Sequence, residues 1–345
     1  MVTKMIAQDC KIVMGVDVST TKHNVCVVDA VDGHVLHEDA IKPPQVRAYQ
    51  RLLARMPGCQ VTVVYEAGPD GYTLFDLART LGSRGVVVAP QKHVGYKTDA
   101  RDAQHIARDY LAGRVKLVRV PEFSKRVERQ VLRTRDQFMK ERSQTMNRLK
   151  SLRRMHGLSA PGLRTLEYDK TGLLDIVQNA LWDVVRFLTQ KIEELEETLK
   201  RIIKDNADYK ALSRALLKLP GVGQVTMWQV LLNVADLNAF DTAERFASYT
   251  GLCPGLYNTG ITQRHGRITR RGPGALRGAL LQGAWACVRC DPGERAFFQD
   301  LSKRRGKKKA IVAVARRLAE KIWRAARAQR KTAPLVQGAA GPACP

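Results

Sequence analysis

The chain has 345 residues, long enough for two domains with cores of their own, and carries a formal net charge of +25 with a pI near 10.1. So basic a balance exceeds what solubility needs and reads as an electrostatic footprint for nucleic acid, DNA or RNA. No apolar run approaches the roughly 20 residues that span a bilayer, and Lys4, Asp9 and Lys11 stand where a signal peptide is apolar, so a soluble cytoplasmic protein with no membrane partner is expected.

In chain order, Ile12, Val13, Met14, Val16 and Val18 form a nearly continuous apolar run broken by Gly15 and Asp17, the pattern of a strand buried on both faces. After the polar turn from Ser19 to His23, Val25 to Val28 supply a second strand, which places Asp17 on the first arm of a β-hairpin. A buried carboxylate needs a cation or donors to offset its desolvation; a bound metal ion and a carboxylate capping its own turn are the two readings. A third strand over Val35–Ile41 is followed by Pro43, Pro44 and a helix carrying Val46, Tyr49, Leu52 and Leu53. The strand Val61–Tyr65 ends at Glu66, so a second acid stands at a strand end. Helix Tyr72–Leu81 and strand Val86–Ala89 complete a strand and helix alternation that predicts a mixed sheet covered by helices.

The segment from Lys97 to Arg108 predicts a helix to about Leu111 with Thr98 as its N-cap. Asp99 and Asp102, three apart, share one face near its N-terminus. Two first-turn acids also suit the helix dipole without any site. Four acids in the order strand, strand end, helix, helix match what phosphoryl transfer by two metal ions requires, and hard oxygen ligands favour magnesium. On GVDVSTTKHNVCVVD, VVYEAGPDGYTLFDLA and KTDARDAQHIAR, the chain resembles the ribonuclease-H-like nucleases. Within them it resembles the DEDD-type insertion-sequence transposases of the IS110 group, whose N-terminal domain is similar to RuvC resolvase. The resemblance implies Asp17, Glu66, Asp99 and Asp102 as catalytic ligands of Mg2+, with Mn2+ able to substitute. GVDVSTT also looks like the first phosphate loop of actin-like sugar kinases, but those need glycine where Ser19 stands and a second similar domain, which the sequence does not offer.

From Ser124 to His156 the chain is dense in arginine and lysine, and Val127, Val131, Phe138, Leu149 and Leu152 recur near helix spacing. A long helix with one apolar stripe and phosphate-gripping flanks is expected. Residues 158–179 read as a weak helical connection. Leu181, Val185, Leu188, Ile192, Leu195, Leu199 and Ile202 then alternate steps of four and three, a heptad seam flanked by Glu193, Glu194, Glu196 and Glu197. That seam predicts a coiled-coil arm packing within the chain or between chains, and a homo-oligomer, dimer or tetramer, through the arm.

Leu216 to Thr226 runs helix, Pro-Gly-Val-Gly turn, helix, and resembles a helix-hairpin-helix, in which the turn offers backbone N–H groups to a phosphate. GLCPGLYNTG, then GRITRRG from Gly266 to Gly272, then a small-residue helix Ala275–Val288 look like the C-terminal domain of the same transposases. There a hydroxyl residue before glycine, normally serine, is the nucleophile on DNA. Here it is Thr259, which offers the same oxygen with an added methyl, and Tyr257 is the rival. Arg264, Arg267, Arg270 and Arg271 would hold phosphates around it. Lys307 and Lys308, within KRRGKKK, are expected to contact nucleic-acid backbone ahead of a helix Ala310–Ala328.

The cysteines, seven in number and scattered, suggest no disulfide framework and are expected to be reduced. Cys287 and Cys290 form a lone CxxC without partners at zinc spacing. The expected organisation is α/β plus α: a RuvC-like mixed sheet with helices over 1–122, a helical basic and coiled-coil middle over 123–210, a mainly helical transposase domain over 211–330, and a disordered tail over 331–345. The function so implied is an insertion-sequence DNA transposase or recombinase. It would cleave and exchange strands at element ends and target with Mg2+ through a covalent hydroxyl–DNA intermediate, guided, as the resemblance implies, by a structured noncoding RNA. A RuvC-like junction-resolving endonuclease and a non-catalytic architectural nucleic-acid binder are the alternatives.

Overall fold

The computed structural model describes residues 10–42, 45–68, 70–90, 99–155, 173–234, 236–259 and 262–332, without the side chains of 99–100, 173, 238, 256–259, 262–265 and 330–332. Thr98, the connection before residue 173 and the tail after residue 332 lie outside the described residues. The chain divides into two compact units, Met1–Pro121 and Glu122–Pro345.

The first unit is a six-stranded sheet built from β1 (Lys11–Val18), β2 (His23–Asp29), β3 (Val35–Ile41), β4 (Gln60–Glu66), β5 (Arg84–Val88) and β6 (Leu117–Val118), in the order β3-β2-β1-β4-β5-β6. Strands β1, β2 and β3 pair antiparallel, β4 and β5 continue parallel from β1, and β6 closes the far edge antiparallel. This mixed sheet is consistent with the ribonuclease-H-like arrangement implied above.

Alternation along the strands divides the core in two. Ile12, Met14, Val16, Val25, Val27, Val63 and Tyr65 face one side, where α1 (Gln45–Leu53) and α2 (Thr73–Thr80) supply Tyr49, Leu52, Leu74 and Ala78. Val13, Cys26, Val28, Val64, Val86 and Val88 face the other, where α3 (Asp99–Leu111) supplies Ala103, Ile106 and Ala107 at helix spacing. Burial on both faces explains why β1 and β2 read as continuous apolar runs. Edge strand β3 carries His37, Glu38 and Asp39 instead, charges that discourage pairing with another chain.

Cys10 and Cys59 lie just before β1 and β4, beside the registered pair Lys11 and Gln60, and are joined by a disulfide with Cα atoms 4.7 Å apart. This corrects the expectation of fully reduced cysteines. Parallel pairing of two strands far apart in sequence brings the thiols together, and no spacing rule exposes that.

In the second unit α4 (Phe123–Met155) and α5 (Leu173–Asp205) form a long antiparallel pair, since Arg135 meets Glu196, Arg142 meets Thr189 and Arg153 meets Gln178. Of the seam, Val185, Leu188, Ile192 and Leu199 are buried within one chain. The seam therefore packs against α4 within the chain, the first of the two arrangements expected for it. The apolar stripe of α4 is also shifted: Leu132 and Leu149 are buried whereas Val127 is 49% exposed.

Helices α6 (Ala207–Leu217), α7 (Gln224–Asn233) and α8 (Ala243–Tyr249), the hairpin β7 (Pro254–Thr259) and β8 (Thr262–Ile268), and α9 (Gly274–Cys290), α10 (Pro292–Arg305) and α11 (Lys307–Thr332) complete the unit. Trp228, Phe246, Leu276, Leu280 and Leu318 share one core with Leu132 of α4 and Leu199 and Ile203 of α5. Helix α10, which the apolar pattern does not announce, starts from Asp291, whose carboxylate accepts from the N–H groups of Gly293 and Glu294, with Pro292 in its first turn.

Candidate functional site

Asp17 and Glu66 stand at the C-terminal ends of neighbouring parallel strands. The last registered pair between β1 and β4 is Val16 with Tyr65, so the next residue on each strand places Asp17 beside Glu66, about 5 Å apart across a sheet. Both follow the parity of Gly15 and Val64 and belong to the α3 face. On the other side of Asp17 the antiparallel register sets Asn24 directly opposite, on the face of Cys26 and Val28. Asn24, Asp17 and Glu66 therefore form one row across the sheet.

Helix α3 lies on this row because β1 has no side chain at Gly15. A Cβ there would stand 2.2 Å from the carbonyl oxygen of Ala103 and 2.8 Å from the backbone nitrogen of Ala107. At the other end of the helix Leu111 packs near Ala30, whose N–H donates to the carbonyl of Lys11 at the start of β1. The helix thus runs antiparallel to β1, and its N-terminal turn, with Asp99 and Asp102, points to the end of the strand that carries Asp17. The helix dipole favours carboxylates in that turn. Asp17, Glu66 and Asp102 are all partly exposed.

Chemically these groups fit a magnesium-class cation, since the donor set is all carboxylate oxygen and the ligands come from rigid elements. Among the described residues no three His, Cys, Asp or Glu groups are already close enough to hold one ion, and the side chain of Asp99 is not among them. The amide nitrogen of Asn24, buried at 7% exposure, has no hydrogen-bond partner among the described residues.

Behind the row, on the opposite face, His23 is buried with Nδ1 3.0 Å from the hydroxyl of Tyr49. Burial lowers its pKa below the ordinary 6.5, against the opposing pull of Asp70 and Asp17. The sequence pattern sets His23 in a polar turn; its pairing with Tyr49 depends on α1 packing against the sheet, which no local pattern reveals.

In the second unit Thr259 closes β7 and pairs with Thr262, while Tyr257 pairs with Arg264. The side chains of these four lie outside the described residues. The block that follows is pinned by backbone contacts. Thr269 and Arg270 donate their N–H groups to the carbonyls of Cys253 and Gly251, and Cβ atoms at Gly251 and Gly272 would fall 2.3 Å from the Arg271 carbonyl and 1.9 Å from that of Tyr249. Arg270 adopts a left-handed φ of 54°, a conformation that non-glycine residues hold only where the surroundings dictate it. Arg267, Arg270 and Arg271 are exposed. So are Lys307 and Lys308, which open α11 after Gly306 ends α10; the expected helix start at Ala310 is three residues late.

Several arginines expected at phosphates serve the protein instead. Arg135 is 8% exposed and bonds Glu196 at 2.5 Å and Asp136 at 3.2 Å, and Arg129 donates to the carbonyl of Leu232 at 3.0 Å. Arg133, Lys140, Arg148, Lys150 and Arg154 are exposed along α4. The glycine turn between α6 and α7 is likewise partly a packing device. A Cβ at Gly221 would meet the carbonyl of Gly283 at 2.3 Å, and Cys287 donates through Sγ to the Pro220 carbonyl at 2.8 Å. Burial pushes the Cys287 thiol up to about 11, which suits a packed thiol rather than a metal ligand. Gly223, the N-cap of α7, has open space where a side chain would stand.

Residues 14–155 match the profile of the DEDD transposases of the IS110 type, and residues 213–299 that of the transposase IS116/IS110/IS902 family. A putative transposase, y4qE, of Sinorhizobium fredii is 28% identical over 92% of this chain and 89% of its own length. The transposase for insertion sequence element IS1111A of Coxiella burnetii is 27% identical over the same shares, 92% and 89%. The pilin gene-inverting protein of Moraxella bovis is 29% identical over 39% of this chain and 43% of its own length. Among the described residues no helix is long and apolar enough to cross a membrane.

Proposed function

Because the chain belongs to the IS110 group of insertion-sequence transposases, we propose that it cleaves and exchanges DNA strands at its element ends and target with two sets of groups. These are the carboxylates of the first unit and the hydroxyl loop of the second. The observation that supports this reading is the register that sets Asp17 beside Glu66 at the strand ends toward which the N-terminal turn of α3 points.

Asp17, Glu66, Asp99 and Asp102 would hold the divalent cation, Mg2+ with Mn2+ as substitute. When bound, it supplies positive charge against a scissile phosphate. Thr259 supplies the nucleophile: its Oγ1 bonds to phosphorus, the bond from phosphorus to the departing sugar oxygen breaks, and that oxygen takes up a proton as the hydroxyl gives its own to a base. No acid adjoins Thr259 in sequence, so the group that activates it comes from elsewhere, in the same chain or a neighbouring one. Arg264, Arg267, Arg270 and Arg271 hold the strand's phosphates, with Lys307, Lys308 and the Gly223 end of α7 gripping backbone further off. A structured guide RNA belongs to the reading through family membership; the basic surface grips either nucleic acid. Assembly as a homo-oligomer, dimer or tetramer, would run through the arm that α5 forms. The cytoplasm is the expected compartment.

The test is a trapping experiment on nicked substrate. Asp17→Asn should keep binding and lose metal-dependent cleavage. Thr259→Ala should keep binding and form no protein–DNA adduct, and Thr259→Ser should restore it. An adduct that persists in Thr259→Ala, or maps to Tyr257, overturns the nucleophile. Cleavage undiminished in Asp17→Asn overturns the carboxylate site.

A further inference from the structure

Tryptophan carries a large apolar surface that folding gains by burying, and Trp182 and Trp228 are buried while Trp323 is partly so. Trp285, on α9, is 39% exposed. It stands in one row with Ala275, Gly278, Gln282 and Arg289, all exposed and spaced by three and four along the helix. Phe298 of α10 meets its ring at 65° with the centroids 5.5 Å apart. Such an edge-to-face contact props the indole without stacking flat upon it. Beside it the guanidinium of Arg295 is fixed on the end of α9, donating to the carbonyls of Val288 and Arg289.

The surroundings are cationic. Residues 274–309 hold nine Lys and Arg against three acids, and each acid is already matched: Asp291 by Lys321, Glu294 by Arg317 and Lys321, and Asp300 by Arg304. What remains is positive charge around an open aromatic ring, the combination that grips a nucleic-acid strand by phosphate and base at once. A duplex keeps its base faces stacked inside, so an exposed indole suits an unpaired base. The row also starts where the arginine block ends, since Gly274 opens α9 three residues after Arg271. The eleven residues from Gly274 to Trp285, at about 1.5 Å each, set the ring about 16 Å further on. That span is about five nucleotides at about 3.4 Å each. At Gly278 a Cβ would meet nothing within 4 Å, so nothing among the described residues crowds the row there.

We infer that Trp285 is a stacking platform for an unpaired base of single-stranded DNA, about five nucleotides from the phosphates at Arg270 and Arg271, with Arg289 and Arg295 on the strand's backbone. The inference rests on the reading that the arginine block holds the DNA strand, and cleavage and exchange are what free unpaired DNA there.

The experiment measures binding of the full chain to oligo(dT), to a DNA hairpin duplex and to oligo(U), by fluorescence anisotropy. Trp285→Ala should weaken oligo(dT) binding about 5- to 150-fold and leave hairpin binding unchanged, and Trp285→Phe should keep most of the affinity. A merely structural contact with Phe298 would lower the melting temperature and weaken both DNAs alike, which overturns the inference, as does a loss confined to oligo(U). Should Trp285→Ala not fold, the wild type decides: oligo(dT) carrying single iododeoxyuridines is irradiated in the complex and the crosslinked peptide is mapped. A crosslink to Trp285 is the expected result, and bound DNA that crosslinks only elsewhere overturns the platform. An Arg270→Ala, Arg271→Ala double variant that binds oligo(dT) as the wild type does overturns the arginine reading instead, which separates the two failures.

Discussion

Gly15→Ala tests the seat of α3 on the sheet, and with it the placement of Asp99 and Asp102. The added methyl would stand 2.2 Å from the Ala103 carbonyl oxygen, 2.8 Å from the Ala107 nitrogen and 2.9 Å from the Ala107 Cβ. Two of those three atoms are helix backbone, so no rotamer change relieves the contact. Reaching an ordinary separation of about 3.4 Å lifts the helix by about 1 Å. Overpacking of this kind costs about 1–3 kcal/mol, and a displacement of about 1 Å at a reacting centre can cost about a hundredfold in rate. Urea unfolding should show the lower midpoint at unchanged slope, and cleavage should fall more than stability explains, with nucleic-acid binding retained. A Gly15→Ala protein within about 0.5 kcal/mol of wild type and fully active would show that α3 does not rest on β1, and the carboxylate geometry would fall with it.

The disulfide joins residues 49 apart, a loop worth about 4 kcal/mol in the chain-entropy account. Reduction or Cys59→Ser should lower the urea midpoint of the first unit, and native protein kept in air that titrates with a free thiol for every cysteine would contradict the bridge. His23 supplies the pH dependence. Its folded pKa lies below its unfolded 6.5, so the unfolded chain binds the proton more readily. The associated stability is complete above pH 6.5 and is lost as pH falls from 6.5 through the folded pKa. Urea midpoints should drop between pH 7.5 and pH 5 by less in His23→Gln than in wild type; identical drops would remove His23 as the cause.

Much of the first unit was legible because its elements are short and strongly patterned. The run from Ile12 to Val18 announces a strand buried twice, and Glu66 follows its strand directly. Parity along β1 and β4 needs only the strand pairing to place both acids on one face. What the sequence hides is pairing across distance. Nothing near Cys10 points to Cys59, nothing near Asn24 says that it opposes Asp17, and Gly15 looks like a break in the strand rather than the bed of a helix. Strand β6, two residues long, carries too little pattern to register. In the second unit the heptad seam was plain, but its partner was not. The arginine run of α4 looks uniform in sequence. Only antiparallel pairing with α5 separates Arg135 and Arg142, which bond to that helix, from Arg133 and Lys140, which face solvent.

Glycine contacts link the two proposed sets of chemical groups. Gly15 precedes Asp17 by two residues and lets the backbone of α3 rest on the strand; Gly272 follows Arg271 and lies against the Tyr249 carbonyl; Gly251 accepts from Arg270 and meets the Arg271 carbonyl. In each case backbone packed on backbone fixes the segment that carries the chemical side chain. Charge-neutral substitutions such as Asp17→Asn are therefore expected to silence chemistry in a folded protein, whereas adding one methyl at the adjoining glycines disturbs the fold first and the chemistry through it. The separation of those two outcomes distinguishes a site mounted on a rigid frame from one whose polar groups hold the frame together.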